Sequence, residues 1–303
     1  MSRAEVEDRF HRFVLGLPAR KIESITTGEK AILKRLKMLS VRFDIQTLPR
    51  LPSVLPQLLR TLRSDDTAGE ELAKLVSRDP MMVGEIMRVT SSVYYRSAQP
   101  ITSLRQAVVL LGQDGLRQVL AQHVMKPLLQ STTGSLTHAA GTRLWEHAER
   151  CASACAWFGK INGCEPFEAY LAGIICHTGT GAVIRMLDQL IPEVTELMSL
   201  EFLADCERLA AQLSLRAAKY WELPGHVVEA MEDCLTSGRP PVTALGKALS
   251  MADSVAMTQL LLEHGRLASD VDLSQSQPAL YTPEQIDRCQ QYLRDSFSVA
   301  GNG

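Results

Sequence analysis

The side chains with the most chemical potential in this 303-residue sequence are seven cysteines and seven histidines. The cysteines form no Cys-x-x-Cys pair, and this odd, scattered set argues against a disulfide framework and fits a reducing cytosol. One of them is followed directly by a histidine, in Cys176-His177. A cationic histidine would lower the pKa of the neighbouring thiol and make it redox-active, but the apolar run before the pair predicts burial. We expect most of the cysteines to be small buried hydrophobes.

The sequence also lacks the patterns of a phosphate-binding loop. It contains no Walker loop and no Gly-x-Gly-x-x-Gly, and Gly112-Gln-Asp-Gly115 predicts a turn between helices because no strand precedes it. The net charge of −2 gives no overall drive toward nucleic acid or anionic lipid. The N-terminus has no apolar signal-peptide core, and no apolar run approaches the roughly 18 residues of a membrane span. We therefore expect a soluble, cytoplasmic protein with no membrane span.

Charge is distributed unevenly along the chain. Residues 1–42 carry ten basic against five acidic side chains, a balance of +5, whereas the remainder carries −7. Two amphipathic helices with basic outer faces are predicted here, with apolar faces that include Phe10, Phe13 and Leu36. We expect these faces to dock on the protein's own N-terminal bundle. The alternative is a helix hairpin that binds a partner.

Composition and helix-start signals predict an all-α protein. Apolar residues make up 46% of the chain but aromatic residues only 5%, which favours helices over a β-sandwich or barrel. Gly112 is expected to end the helix that follows Ser103. The predicted helix starts are the capping boxes Thr26–Glu29, Ser103–Gln106 and Thr282–Gln285, and the N-cap and first-turn proline of Asp79-Pro80.

Several segments, in order, resemble the HDOD family, an all-helical bacterial signalling domain related to HD phosphohydrolases. The resemblance covers roughly residues 45–265. Its first half lies in Leu48–Pro52, Leu72–Pro80, Met87–Tyr95 and Ile101–Gly112, and its second half in Leu144–His147, Tyr170–Ile175, Trp221–Pro224 and Leu249–Asp253.

Resemblance and composition together divide the chain into four parts. We predict a basic helical arm at 1–44, the N-terminal helical half of an HDOD-like domain at 45–130, a degenerate HD-like half at 138–265, and a loop with a C-terminal helix at 266–303. The polar stretch 130–137 reads as a linker. The predicted architecture is an N-terminal helical bundle packed on a degenerate HD-domain-like bundle.

The resemblance also implies where an active site would lie. HD enzymes bind metal through an H…HD…D set, and its positions fall on His147, Cys176-His177 and Asp253. The glycine that follows is kept as Gly179, but the lysine that commonly comes next is replaced by Thr180. The aspartate that typically bridges metal and water is therefore missing, and so is a phosphate contact. The sequence predicts a degenerate site with no catalytic residues.

We accordingly expect no cofactor and no metal. A zinc ion held by His147, Cys176, His177 and Asp253 is the alternative, because all four side chains are zinc-capable. The simpler interpretation is that the two histidines are buried and hydrogen-bonded to backbone or to Asp253. His147 and Cys176 do not predict a catalytic dyad, since no oxyanion hole is recognisable.

The function implied by the resemblance is that of a non-catalytic bacterial signal-transduction or regulatory protein, not an enzyme. It would act by binding a protein partner and possibly a nucleotide. One alternative is a metal-dependent HD-type phosphohydrolase acting on nucleotides or cyclic dinucleotides. The second is a regulator that binds nucleic acid through the basic arm, although nucleic acid is not the expected partner.

Overall fold

The computed structural model describes residues 3–18, 24–42, 76–77, 80–90, 101–130, 135–191, 198–235, 239–267 and 280–297. Every regular element in these ranges is a helix, which confirms the all-α prediction. The helices are α1 (Arg3–Leu15), α2 (Thr27–Arg42), α3 (Pro80–Thr90), α4 (Leu104–Leu129), α5 (Ser135–Ile161), α6 (Pro166–Ile175), α7 (Thr178–Leu190), α8 (Leu200–Tyr220), α9 (Gly225–Leu235), α10 (Ala244–Glu263) and α11 (Pro283–Phe297).

The predicted capping boxes form. Thr26 and Glu29 exchange hydrogen bonds between side chain and backbone, with Thr26 N donating to Glu29 Oε2 at 2.7 Å and Glu29 N to Thr26 Oγ1 at 3.2 Å. Ser103 Oγ accepts from Gln106 N, and Thr282 Oγ1 accepts from Gln285 N. Pro80 begins α3, while Asp79 lies outside the described residues. These local signals are sufficient because each one satisfies orphan N–H groups at a helix start.

One boundary agrees with its prediction and one differs. Helical geometry is interrupted at Gly112, as predicted: it adopts φ +64° and ψ −174°, and α4 resumes beyond this kink and continues to Leu129. The left-handed φ explains why glycine stands there. The predicted linker is shorter than expected, because α5 begins at Ser135, inside the polar stretch.

The apolar side chains form two clusters that share the long helices. The larger cluster joins α3, α4, α5 and α6 to much of α10 and to α11, so both predicted halves contribute to one core. Trp145 and Trp221 belong to it, at 4% and 7% exposure, which confirms their predicted burial. The smaller cluster joins α1 and α2 to α7, α8 and the end of α10.

The arm helices dock, but not where the sequence analysis placed them. α1 packs on α5, α8 and α10, and α2 packs on α7 and α8, so both lie on the degenerate HD-like half. Arg12 is buried in this contact, with its Nε donating to Asp8 at 2.9 Å and its Nη2 to the Met198 carbonyl at 3.0 Å. The expected docking on the N-terminal bundle is therefore wrong, since amphipathicity predicts a buried face but does not specify its partner.

One part of the described chain is more apolar than the sequence analysis allowed. Residues 166–190, which form α6 and α7, are long and apolar enough to span a membrane by composition. However, 78% of that apolar window is buried inside the protein. Burial to this extent is typical of helices in a protein core.

Candidate functional site

Three elements converge at the predicted HD-like site. The middle of α5 supplies His147, and α10 supplies Asp253. The dipeptide Cys176-His177 forms the junction between α6 and α7: Cys176 is the C-cap of the first helix and His177 the N-cap of the second. The junction between these two buried helices therefore places His177 beside the other two side chains.

His147, His177 and Asp253 form a nearly equilateral triangle of polar atoms. His147 Nε2 lies 2.8 Å from His177 Nε2 and 3.0 Å from Asp253 Oδ1, and His177 Nε2 lies 2.8 Å from the same oxygen. His147 is fully buried, whereas the other two side chains retain slight exposure. The structure thus brings together three of the four predicted site residues.

The fourth predicted residue, Cys176, sits just beside the triangle. Its sulfur lies 3.2 Å from the Gly173 carbonyl oxygen and 3.9 Å from the sulfur of Cys151. It is Cys151 that joins the triangle: one ligand-capable atom from each of His147, Cys151, His177 and Asp253 lies within 4.8 Å of all the others. The cluster of ligand-capable atoms thus includes Cys151, whereas the role predicted for Cys176 stays a prediction.

Charges at the site depend on one another. Burial and the positive charge of His177 lower the pKa of His147 to about 4. Burial also disfavours the charged form of His177, but Cys176 and Asp253 beside it outweigh this and hold its pKa well above the ordinary value. Burial would raise the pKa of Asp253, yet the charge of His177 and the hydrogen bonds from both histidines hold it well below its usual range. Asp253 and His177 thus form a buried ion pair beside a neutral His147.

The two neighbouring thiols shift in opposite directions. The contact with Cys151 lowers the pKa of the Cys176 thiol to about 6, and His177 adds to this effect. The contact with Cys176, together with burial, raises the pKa of Cys151 well above its ordinary value. Both sulfurs therefore belong to the same buried electrostatic cluster as the triangle.

Helix α1 covers this cluster from one side. The Phe10 ring is fully buried and stacks on His147, with 4.4 Å between ring centroids, and it lies 6.4 Å from the ring of His177. Arg3 lies two helical turns before Phe10 on the same face of α1. Its Nη1 donates to Ser250 Oγ at 2.8 Å. The cavity that remains beside His177 and Asp253 measures about 130 Å³. Among the described residues, His177 and Asp253 of the triangle both line this small cavity.

Three contributors to the site were missed by the sequence analysis: Cys151, Phe10 and Arg3. A signal for Cys151 exists, because it lies four residues after His147 on one helix and so shares its face. No comparable signal exists for Phe10 and Arg3. Their contacts are made across more than 100 residues of sequence.

A metal is implied by the HD relationship, and the residues present do not fit the usual hard-cation site. Mg²⁺ and Mn²⁺ favour oxygen-rich ligand sets, whereas the atoms that converge here include one carboxylate, two imidazoles and a thiol. The dipeptide position that would supply a second carboxylate is His177. These residues therefore do not form the metal centre of an HD phosphohydrolase.

Comparisons with solved structures support the fold. An HDOD domain protein of unknown function from Geobacter sulfurreducens is 21% identical, covers 88% of this chain and 95% of its own, and superposes with a TM-score of 0.59. A protein from Shewanella amazonensis SB2B, named provisionally as a metal-dependent phosphohydrolase, is 17% identical, covers 89% and 99%, and has a TM-score of 0.60. A Marinobacter aquaeolei VT8 protein, named provisionally for signal transduction, is 18% identical, covers 99% and 66%, and has a TM-score of 0.56.

Sequence comparison gives the family directly. An uncharacterised protein of Treponema pallidum (strain Nichols) is 21% identical over 200 residues, which span 62% of this chain but only 38% of that protein. The HDOD domain profile matches residues 48–234, more than half of the chain, and takes in His147, Cys176 and His177. This protein belongs to the HDOD family.

Proposed function

We propose that this HDOD protein is a non-catalytic, cytoplasmic regulatory module that acts in signal transduction by binding a protein partner. The observation that carries the proposal is the closure of its HD-like site by its own α1, with Phe10 stacked on His147. A hydrolase needs its metal-binding face open to a phosphate substrate. Here a fully buried aromatic ring occupies one side of that face.

The chemistry of the covered residues supports the same proposal. His177 stands where HD enzymes carry the aspartate, and Thr180 stands where a lysine commonly contacts phosphate. Thr180 and Asp253 both line the remaining cavity. The groups that would activate water and neutralise a developing phosphate charge are thus replaced at the positions where an HD enzyme uses them.

The size of the cavity bears on a small-molecule ligand. Pockets for small molecules and cofactors usually enclose about 300–1,000 Å³, whereas this cavity measures about 130 Å³. A nucleotide ligand stays a prediction of the sequence, and it would require α1 to move away from the site. A protein partner bound elsewhere on the surface carries no such requirement.

The catalytic part of the proposal is tested by hydrolysis assays. The full chain is incubated with nucleoside monophosphates, cyclic dinucleotides and a generic phosphodiester, each with Mg²⁺, Mn²⁺ or Fe²⁺. We expect no turnover above that of an Asp253→Ala control. A steady rate that this control lacks would contradict the proposal and favour the phosphohydrolase alternative.

The binding part is tested with purified proteins. Candidates cross-linked to the chain in its native cell are purified and titrated against it at increasing salt. A saturable complex with one protein is expected. Saturable binding to RNA or DNA alone, with the steep salt dependence of phosphate contacts, would instead identify the nucleic-acid alternative.

A further inference from the structure

We propose that the cluster of His147, Cys151, His177 and Asp253 is a structural zinc site. The site goes beyond the proposed regulatory function and does not depend on it. It also differs from the zinc alternative considered from the sequence, because its sulfur ligand is Cys151 rather than Cys176. The ligand class is a borderline-soft divalent cation bound through nitrogen, sulfur and oxygen.

The strongest evidence is the triangle of short contacts. Its three edges, between two Nε2 atoms and Asp253 Oδ1, measure 2.8, 2.8 and 3.0 Å. Each edge needs one proton and one lone pair to be a hydrogen bond. Each histidine carries at most one proton on Nε2, so protons cannot satisfy all three edges at once.

Every arrangement of protons on the two Nε2 atoms leaves at least one bad contact, as two of them illustrate. If His147 and His177 each donate to Asp253, two N–H groups face each other across 2.8 Å. If only His177 carries an Nε2 proton, the lone pair of His147 faces the carboxylate at 3.0 Å. A cation between the three atoms accepts electron density from all of them and removes the conflict.

Cys151 supplies the fourth donor from the same helix as His147. The i, i+4 spacing stacks the two side chains on one face of α5. With Zn–N and Zn–O distances of about 2.0–2.1 Å and a Zn–S distance of about 2.3 Å, tetrahedral ligand atoms lie about 3.3–3.6 Å apart. The triangle edges of 2.8–3.0 Å must therefore open slightly, and the sulfur, which lies within 4.8 Å of the other three atoms, must move inward.

The donor set explains both the choice of metal and the closed character of the site. Two imidazoles, one thiolate and one carboxylate fill a tetrahedral zinc sphere, which leaves no position for a reactive water. Zinc deprotonates a coordinating thiol outright, so the raised pKa of free Cys151 does not prevent binding. The slight exposure of His177 and Asp253 toward the adjoining cavity provides an entry path.

The experiment uses cobalt as a spectroscopic substitute for zinc. The full chain is stripped of metal under reducing conditions and titrated with Co²⁺, followed by Zn²⁺. We expect one Co²⁺ per chain, with the intense visible bands of a tetrahedral site and a near-ultraviolet thiolate-to-cobalt charge-transfer band. Zn²⁺ should then displace the cobalt and abolish both.

Three cysteine variants assign the sulfur ligand. Cys151→Ser should lose the charge-transfer band, while Cys155→Ser, a buried cysteine one turn further along α5, should keep it. Circular dichroism checks that each variant folds, and the wild-type spectrum alone still tests the site if Cys151→Ser does not. Cys176→Ser should also retain the band.

Several results would overturn the zinc site. These are the absence of stoichiometric binding by the wild-type chain, cobalt binding without a thiolate band, and a band that depends on Cys176 but survives in Cys151→Ser. The readout is metal binding, so it is separate from the hydrolysis assay. Failure of either proposal leaves the other standing.

Discussion

Replacing Gly179 with alanine tests the contact that fixes the turn carrying His177. Gly179 lies in the first turn of α7, and its N–H donates to the buried Ser214 Oγ at 2.8 Å. A Cβ on Gly179 would lie 1.9 Å from the Ala210 carbonyl oxygen and 2.7 Å from Ser214 N, both backbone atoms of α8. Real Cβ contacts essentially never fall below 3.0 Å, so the two helices must separate.

Two effects determine how far the substitution lowers the free energy of unfolding. Overpacking a tight contact typically costs about 1–3 kcal/mol, and the separation also weakens a buried hydrogen bond that contributes about 1 kcal/mol. We therefore expect Gly179→Ala to lower the free energy of unfolding by about 2–4 kcal/mol. The matched control is Gly84→Ala, an exposed position in α3 with nothing within 4 Å of the added Cβ. The free energy of unfolding of this control should rise by about 0.5–1 kcal/mol, because alanine favours the helix more than glycine does.

The assay is urea denaturation of the full chain, followed by circular dichroism, with both variants measured beside the wild type. A Gly179→Ala protein that unfolds within about 1 kcal/mol of the wild type, while Gly84→Ala behaves as expected, would show that α7 and α8 do not approach as described. The contact between Gly179 and α8 would then not be what positions His177.

Three further outcomes are expected. Phe10→Ala should lower the free energy of unfolding by about 3–5 kcal/mol, because it is a large-to-small change in the core. It should also speed hydrogen exchange throughout α1, and slow exchange there in the variant would contradict the docking. Trp221→Ala should cost about the same, whereas the adjacent Tyr220→Ala, 44% exposed, should cost under about 1 kcal/mol, as equilibrium unfolding would measure. Burial would raise the pKa of Glu29, but hydrogen bonds from Ser199 and Thr26 lower it overall. Its stabilising effect should be full above the ordinary pKa of about 4.3 and fade as the pH falls below it, so a wild-type advantage over Glu29→Gln that is constant from acid to neutral pH would argue against this.

Much of the fold could be predicted because its signals are local. The capping boxes at Thr26 and Thr282 involve atoms only three residues apart, so sequence spacing alone specifies them. The positions of His147 and Asp253 followed from the family resemblance, and the structure brings these two side chains together.

The other features of the fold and of the site depend on packing between residues that are far apart in the sequence. The face of α1 that contains Phe10 was predicted to be buried, but an apolar face fits any apolar surface, and its actual partner is the HD-like half. Cys151 has no adjacent histidine in the sequence, unlike Cys176 in the Cys176-His177 dipeptide. The neighbour that matters is one helical turn from His147, and its relevance appears only when α6 and α10 are placed against α5.

The docking of α1 has a consequence for the order in which the protein is built. α1 is synthesised before every described surface on which it packs. The Arg3 side chain donates a hydrogen bond to Ser250, which lies 247 positions later in the chain. Arg12 donates one to the Met198 carbonyl, 186 positions later. A ribosome delivers the N-terminus first, so Phe10 and its neighbours emerge with no receptor. Their cover is complete only when α10 has been made, and the closure of so long a loop is entropically slow. A nascent chain halted before α10 therefore leaves part of the apolar face of α1 exposed, where chaperones and proteases can recognise an unfinished protein.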